Sequence, residues 1–523
     1  MSRHFQKMTA HLSSHAVFQD TFLICLDKIY KMTGKGTIQS MLEAAPRRID
    51  QLTTTRFLAA LSVVFFHGGR EIGLLKFLPI LTSGPTAVGY FFVLSGFVMS
   101  LAYYRVNGDF KFREYWLSRF SRIYPLYLFA FVLTCFYYLD LMPRVKSDKI
   151  WANVFLYQAW FPRYAESFNM AAWSLSVEVF FYLIFPFIVL WAMRKPLKQL
   201  IYVVAGFWLL SQLVHMGLSI QWMGSMNELL AYFPLFHLNA FLVGIAAGVW
   251  YATNPYPVIN QSANRILLLG SLGAVFFALS LRAFMPGFPS HLSLDTGLLA
   301  PFFALIIVTL ALDTSRLAKF MSHPALVLLG NASYALYILH VPIRWLLERL
   351  LTTSGVTISY NVFFLTYVLI LIILCVGVYR YFEHPVRAWL RANSNLLPFI
   401  LLDIVLVQFI IRMAFVFRLG DGVAGYIHTQ TFALRVGLTL FPLFLFVFQF
   451  YTTNSWRRLG LAVLAGGVLL AGFMYHAWIS GWVEGFPQSI VILIPLLVLG
   501  SIYVSRRIIN FWGTQFSRPI KTA

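Results

Sequence analysis

Three cysteines in 523 residues, 11% charged side chains, and 19 acidic residues against 40 basic ones are what the sequence has little of. Cys25, Cys135 and Cys375 stand far apart, without the paired spacing of a metal or redox site, so they read as small apolar fillers rather than a disulfide framework. No metal is expected. The shortage of charge argues against a soluble domain. The shortage of acid leaves a net charge of +21. In a soluble chain that excess would point to nucleic acid. Here the basic residues sit mostly in short loops between apolar runs, where the positive-inside rule accounts for them, and no nucleic-acid partner is expected. Internal repeats and low-complexity segments are also missing. The run from Ala16 to Tyr30 carries Asp20, Asp27 and Lys28 with no A-x-A-like site after it, which does not suit a cleavable signal.

What is there is apolar sequence: 59% hydrophobic residues and a mean hydropathy of +0.74. The runs are long and unbroken, unlike the alternating segments of roughly 10 residues that make outer-membrane barrels. The fold expected is all-α, a polytopic integral membrane protein with about fourteen transmembrane helices. They fall near 52–72, 83–102, 122–141, 173–193, 200–218, 232–251, 265–283, 295–312, 326–347, 360–379, 397–416, 432–450, 458–477 and 488–504. Loops on one side hold Arg47 and Arg48, Arg105 to Arg122, Arg194 to Lys198, Arg316 and Lys319, Arg380 to Arg391, Arg457 and Arg458, and Arg506 and Arg507. That side is expected to be cytoplasmic, with both termini on it. The exception is the 142–172 loop, with Arg144, Lys146, Lys149 and Arg163 around "WANVFLYQAWF". It suits either an interfacial aromatic anchor or a platform for sugar rings. Four parts follow: a cytoplasmic or surface-lying segment (1–48), a membrane core (49–391), four further helices (392–505) and a basic cytoplasmic tail (506–523). "RANSNLLP" at 391–398 is the seam.

Several spans hold polar residues that lipid would reject, and such residues usually face a cavity or a partner. In "LTTTRFLAALSVVFFHGG", Arg56 and His67 are eleven positions apart. That is almost three helical turns, one face, and about 16 Å in depth. The bland alternative is a snorkelling arginine and a packing histidine. In "WLSRFSRIYPLY", Arg119 and Arg122 meet on one helix face, where two guanidiniums suit a phosphate or simple positive-inside anchoring. In "AAWSLSVEVFFYLIFP", Ser174, Glu178 and Tyr182 recur every four residues and line one stripe. In "LGNASYALYILHVPI", Ser333, Tyr337 and His340 share a face. Ser95 of "FFVLSGF" is a further candidate cavity residue.

Together these stretches resemble the integral-membrane acyltransferase-3 family, which O-acylates surface glycans and some small molecules. The resemblance runs from Ile49 to Arg391 through six motifs in order: "RFLAALSVVFFH", "FFVLSGF", "SRFSRIYPLY", "WSLSVEVFFYLIFP", "LGNASYALYILH" and "YFEHPVRAWLR". It implies transfer of an acyl group, usually from cytoplasmic acetyl-CoA, to a hydroxyl on the far side of a bacterial inner membrane. The acceptor implied is an extracytoplasmic glycan such as lipopolysaccharide or exopolysaccharide. The family's arginine–histidine pair falls on Arg56 and His67, and its notable carboxylate on Glu178. Two departures stand out. Gly89 replaces an acidic residue that many members place before the paired phenylalanines. Beyond 397 there is more membrane helix where some members carry a hydrolase-like domain, and "LGDGVAG" is not its Gly-Asp-Ser motif.

The resulting expectation has donor phosphates on Arg119 and Arg122 and an acyl arm reaching a cavity lined by Arg56 and His67. There His67 acts as base or acyl acceptor, and Arg56 binds the donor or polarises its carbonyl. The rivals are a flippase or transporter of lipid-linked glycans, whose buried charges would line a pathway, and a glycan polymerase.

Overall fold

The computed structural model describes residues 49–516 apart from 70–71, 73–77, 80, 82, 105–109, 138–146, 222–226, 255–259, 290, 394–396, 448–455 and 486–487. The segment 1–48, with its expected surface helix, lies outside the described residues, as do Arg105, Arg144 and Lys146. Among the described residues every regular element is helical. Nineteen α-helices matter here: α1 (Asp50–Gly68), α2 (Gly84–Tyr103), α3 (Phe112–Tyr137), α4 (Ser147–Val154), α5 (Trp173–Met193), α6 (Leu197–Gln221), α7 (Asn227–Tyr232), α8 (Pro234–Thr253), α9 (Gln261–Phe284), α10 (Ala300–Leu312), α11 (Arg316–Met321), α12 (Pro324–Asn331), α13 (Ser333–Ser354), α14 (Tyr360–Val378), α15 (His384–Ala392), α16 (Leu397–Leu419), α17 (Ile427–Val447), α18 (Trp456–Ile479) and α19 (Gln488–Phe516).

Eight of the described helices are long and apolar enough to cross a membrane, or nine if α12 and α13, bent by 55° at Ala332, make one span. This is fewer than the fourteen expected. The count is of the described residues, among which α1 carries Gln51, three threonines, Arg56 and His67, and α3 carries Arg113, Glu114, Arg119 and Arg122. α16 holds Asp403, Arg412 and Arg418, while α10, at 13 residues, reaches only about 20 Å at 1.5 Å per residue. Of the helices that hold the candidate chemistry, α2 and α5 are among the eight, while α1 and α3 are not. By contrast α6, α9 and α14 present rows of exposed Leu, Ile and Phe, such as Leu209, Leu213, Ile266, Phe277, Leu365 and Ile373. Such a surface is stable only against lipid. The molecule is an integral membrane protein.

α2 is the central helix of the first half. A Cβ on Gly244 or Gly248 of α8 would collide with the α2 backbone at Val93 and Phe97, so the two helices approach as closely as backbones allow. With little hydrophobic drive between helices in lipid, this contact of small residues supplies much of the packing. Gly244→Val is expected to cost about 1–3 kcal/mol through overpacking, read as a lower unfolding temperature in detergent and a smaller monodisperse fraction.

The last four helices, α16–α19, pack on one another around Phe415, Phe441, Leu470, Met474, Ile494 and Ile502. Arg506 does not start a tail as expected. It lies within α19, buried, with Nη2 donating to Asp403 Oδ2 of α16 at 2.7 Å. A carboxylate in an apolar run needed a cation, and the helix continued far enough to supply it.

Candidate active site

Two prolines build the site by what they leave open. Proline has no N–H, so the carbonyl four residues before it loses its helical partner. Pro186 in α5 releases the carbonyl of Tyr182, which accepts from Tyr115 Oη of α3 at 3.0 Å. Pro342 in α13 releases the carbonyl of Ile338, which accepts from Asn169 Nδ2 at 2.8 Å. Asn169 also caps the turn Met170–Ala172 that leads into α5. The 142–172 connection is thereby tied to α13, and "WANVFLYQAWF" is partly the short α4 and partly 3-10 turns.

Three helices then converge. Tyr337 Oη of α13 bonds Ser174 Oγ of α5 at 2.7 Å and donates to the Ala171 carbonyl at 3.0 Å. Glu178, one turn along, accepts from Tyr182 Oη and from Ser95 Oγ of α2, the latter at 3.5 Å. The Arg119 guanidinium lies over the rings of Tyr182 and Tyr103, at 5.5 and 5.8 Å, a geometry that orients a planar cation. Its Nε is buried without a hydrogen-bond partner among the described residues.

These side chains enclose an arginine cavity of about 780 Å³, including space open to the outside, lined by Arg56, Ser95, Arg119, Arg122, Ser174, Glu178, Tyr182, Ser333 and Tyr337. Nine of the eleven residues singled out in the sequence meet here. The remaining two, His67 and His340, do not line it. His67 opens instead into a histidine cavity of about 1350 Å³ with Glu166, Trp173, His215, Tyr232, His237 and Asp295. The two cavities share Val88 and Tyr337 as common wall. Arg56 and His67, expected on one face of one cavity, line neighbouring ones. Glu178 lies on the arginine side.

The end of α1 is held firmly where His67 sits. Its last carbonyls lack helical donors. Arg344 Nη1 donates to the His67 carbonyl at 2.6 Å and Tyr360 Oη to that of Gly68 at 2.7 Å, while Glu348 fixes Arg344 at 2.7 Å. The rings of His67 and His340 stack, with His67 Nδ1 and His340 Nε2 3.0 Å apart. His340, 1% exposed, places Nδ1 2.6 Å from the Tyr337 carbonyl.

That contact assigns tautomers, because a carbonyl only accepts. His340 carries its proton on Nδ1, so a neutral His340 accepts at Nε2. His67 then donates from Nδ1 and keeps its basic lone pair on Nε2.

Sequence reasoning missed several parts of this region. Asp295 takes two bonds of 2.8 Å from Arg282 Nη1 and a third from Thr86 Oγ1, on a kinked segment where Gly297 adopts φ +92°. Its signal was faint: one carboxylate and one glycine in a run read as plain span. Arg344, Tyr360 and Asn169 carried none beyond a polar residue near a span end.

A family model described as an acyltransferase domain matches residues 49–380. The chain is 28% identical over 323 residues to acyltransferase MdmB of Streptomyces mycarofaciens, covering 56% of this chain and 78% of that protein. It is 25% identical over 370 residues to O-acetyltransferase OatA of Staphylococcus aureus strain NCTC 8325, covering 66% of this chain and 58% of the relative. With the peptidoglycan O-acetyltransferase OatA of Listeria monocytogenes it shares 25% over 317 residues, 56% of this chain and 49% of the relative. The chain therefore spans only about half of the two O-acetyltransferases. No solved structure matches.

Proposed function

Because the chain belongs to the acyltransferase-3 family, we propose that it moves an acyl group, acetyl above all, from cytoplasmic acyl-CoA to a hydroxyl of an extracytoplasmic carbohydrate. Lipopolysaccharide or exopolysaccharide is the acceptor class. In this reading all fourteen helical segments cross a bacterial inner membrane, both termini are cytoplasmic, and the arginine cavity opens to the cytoplasm.

The observation that carries the reading is the meeting of two unlike cavities at Tyr337. One is cationic and suits a phosphate-bearing donor. The other is walled by Trp173, Tyr232, Glu166 and Asp295, the mix of aromatic faces and carboxylates that holds a sugar ring. Donor phosphates rest against Arg119 and Arg122, and the acyl arm runs past Tyr337 toward His67. His67 Nε2 takes the proton of the acceptor hydroxyl as its oxygen attacks the thioester carbonyl. The C–S bond breaks, and the proton passes from His67 to the leaving thiolate. α1 sets Arg56 about 16 Å from His67 at 1.5 Å per residue, so Arg56 and Glu178 act on the donor's body rather than on the reacting carbonyl.

His340 is a positioning residue in this scheme. It receives Nδ1–H of His67 and keeps Nε2 as the base. His340→Leu is expected to lower transfer by about 10–100-fold, while His340→Gln, whose amide oxygen reaches the place of Nε2, retains most of it. Equal losses in both would overturn the role.

The test of the function is acyl transfer in sealed vesicles given labelled acetyl-CoA at the cytoplasmic face. Label reaching the carbohydrate on the opposite side supports the enzyme. Carbohydrate crossing without any donor, and no label, identifies a transporter.

A further inference from the structure

The motif "YFEHPVRAWLR" has no part in the scheme above, and the structure gives it a place. A wider π turn, Tyr379–Glu383, leads into α15, and such turns often serve to re-aim side chains at functional sites. Here it buries Glu383, 5% exposed, within electrostatic reach of Arg122 and Arg387. Arg391, one turn after Arg387, donates from Nη2 to Ser118 Oγ of α3 at 2.7 Å. Arg119 Nη2 donates to the same oxygen at 3.1 Å. Two guanidiniums thus converge on one hydroxyl, and both Arg119 and Arg122 act electrostatically on Arg391.

Charge counting shows what is missing. Arg56, Arg119 and Arg122 line the cavity, and Arg387 and Arg391 lie within electrostatic reach of Arg122. Among the described residues Glu178 and Glu383 are the carboxylates acting on them, so five cations less two carboxylates leave a formal charge of +3. Among the described residues none of the five makes an ion pair within 4.0 Å. Like charges held together without counterions are stabilised by a polyanion. A single diphosphate on Arg119 and Arg122 would leave the α15 arginines unused.

We propose that Arg387 and Arg391, with Ser118, form a second phosphate site at the mouth of the arginine cavity, taking the ribose monophosphate of a nucleotide acyl donor whose diphosphate lies on Arg119 and Arg122. The proposal rests on the acyltransferase reading. It gives α15 a role: a donor with an extended acyl arm leaves its nucleotide outside the cavity, and α15 packs on α3 beside Arg119 and Arg122.

The experiment compares acetyl-CoA with acetyl-3′-dephospho-CoA, in nanodiscs of zwitterionic lipid, for the native chain, Arg387→Gln/Arg391→Gln and Arg387→Lys/Arg391→Lys. The native protein is expected to show a KM about 30-fold lower for acetyl-CoA than for the dephospho donor, the size of one lost charge-assisted contact. The glutamine pair is expected to raise KM for acetyl-CoA to near the dephospho value while hardly changing the latter. The lysine pair keeps part of the discrimination and shows that the fold tolerates change there. Native discrimination that survives the glutamine pair, or no native discrimination, overturns the proposal. A difference between the variants that emerges only in discs containing anionic phosphatidylglycerol assigns the site to a lipid headgroup, which also overturns it. Transfer from neither donor by the native chain would instead remove the acyl-CoA reading.

Discussion

His67→Ala is expected to reduce acyl transfer by roughly 10²–10⁴-fold, the usual contribution of a general base, with donor KM little changed. The geometry explains why the loss falls on the chemical step. The backbone of His67 is anchored through its carbonyl by Arg344, independently of the imidazole, so α1 keeps its end when the ring is removed. What is lost is the nitrogen facing the histidine cavity, together with the partner of His340 Nε2. The second loss costs about 1–3 kcal/mol of stability, since His340 is buried and its acceptor is left unpaired. His67→Gln separates the two effects. A glutamine can still bond His340 but cannot carry the substrate proton, so it is expected to be as inactive as alanine and more stable. Initial rates in nanodiscs, with unfolding temperatures from the same samples, make the comparison. A glutamine variant working near the native rate would sink the proton-transfer role.

The single residues of this site were legible because lipid is intolerant. Arg56, Glu178 and His67 stood out as polar side chains in runs that should have been apolar, and the stripe Ser174–Glu178–Tyr182 followed from helical spacing alone. Their partners were not legible. His67 and His340 lie 273 positions apart, and no local pattern says that two histidines on different helices stack. The same face of α13 was expected to hold Ser333, Tyr337 and His340. It does, but the face is shared between cavities: the first two line the arginine side, while His340 turns to α1.

The partners of charges inside the spans were hidden for a related reason. A hydropathy window sums over a helix, and it cannot distinguish a plain span from a helix whose charges meet counterparts inside the protein. Arg506 shows the effect at its smallest. As a sequence position it was one more basic residue past the last span, whereas its role depends on Asp403, 103 positions earlier. Pro186 and Pro342 had the opposite character. Each leaves a carbonyl free by its missing N–H, a consequence not drawn from the sequence, and the fold fills them with Tyr115 and Asn169.

Arg119→Ala combined with Arg122→Ala is expected to raise the KM for acetyl-CoA by about 10²–10⁴-fold, as two charge-assisted contacts at 1.5–3 kcal/mol each would require. kcat at saturating donor should fall far less, because in the proposed scheme the thioester lies at His67, beyond both guanidiniums. Arg119 already sits preorganised over the rings of Tyr182 and Tyr103, its Nε without a hydrogen-bond partner among the described residues, so it loses little freedom when an anion arrives. Arg122 is within electrostatic reach of both Arg56 and Glu383, and its removal also relieves repulsion with Arg56. The change in KM is therefore expected to be smaller than the sum of the two single variants. The pair is also distinguishable from the α15 arginines. Loss of the diphosphate contacts penalises acetyl-CoA and acetyl-3′-dephospho-CoA alike, whereas loss of Arg387 and Arg391 penalises only the donor that carries the monophosphate. A double variant with unchanged KM and a collapsed kcat would move Arg119 and Arg122 from donor binding to the reaction itself, and would place the thioester on the arginine side of Tyr337.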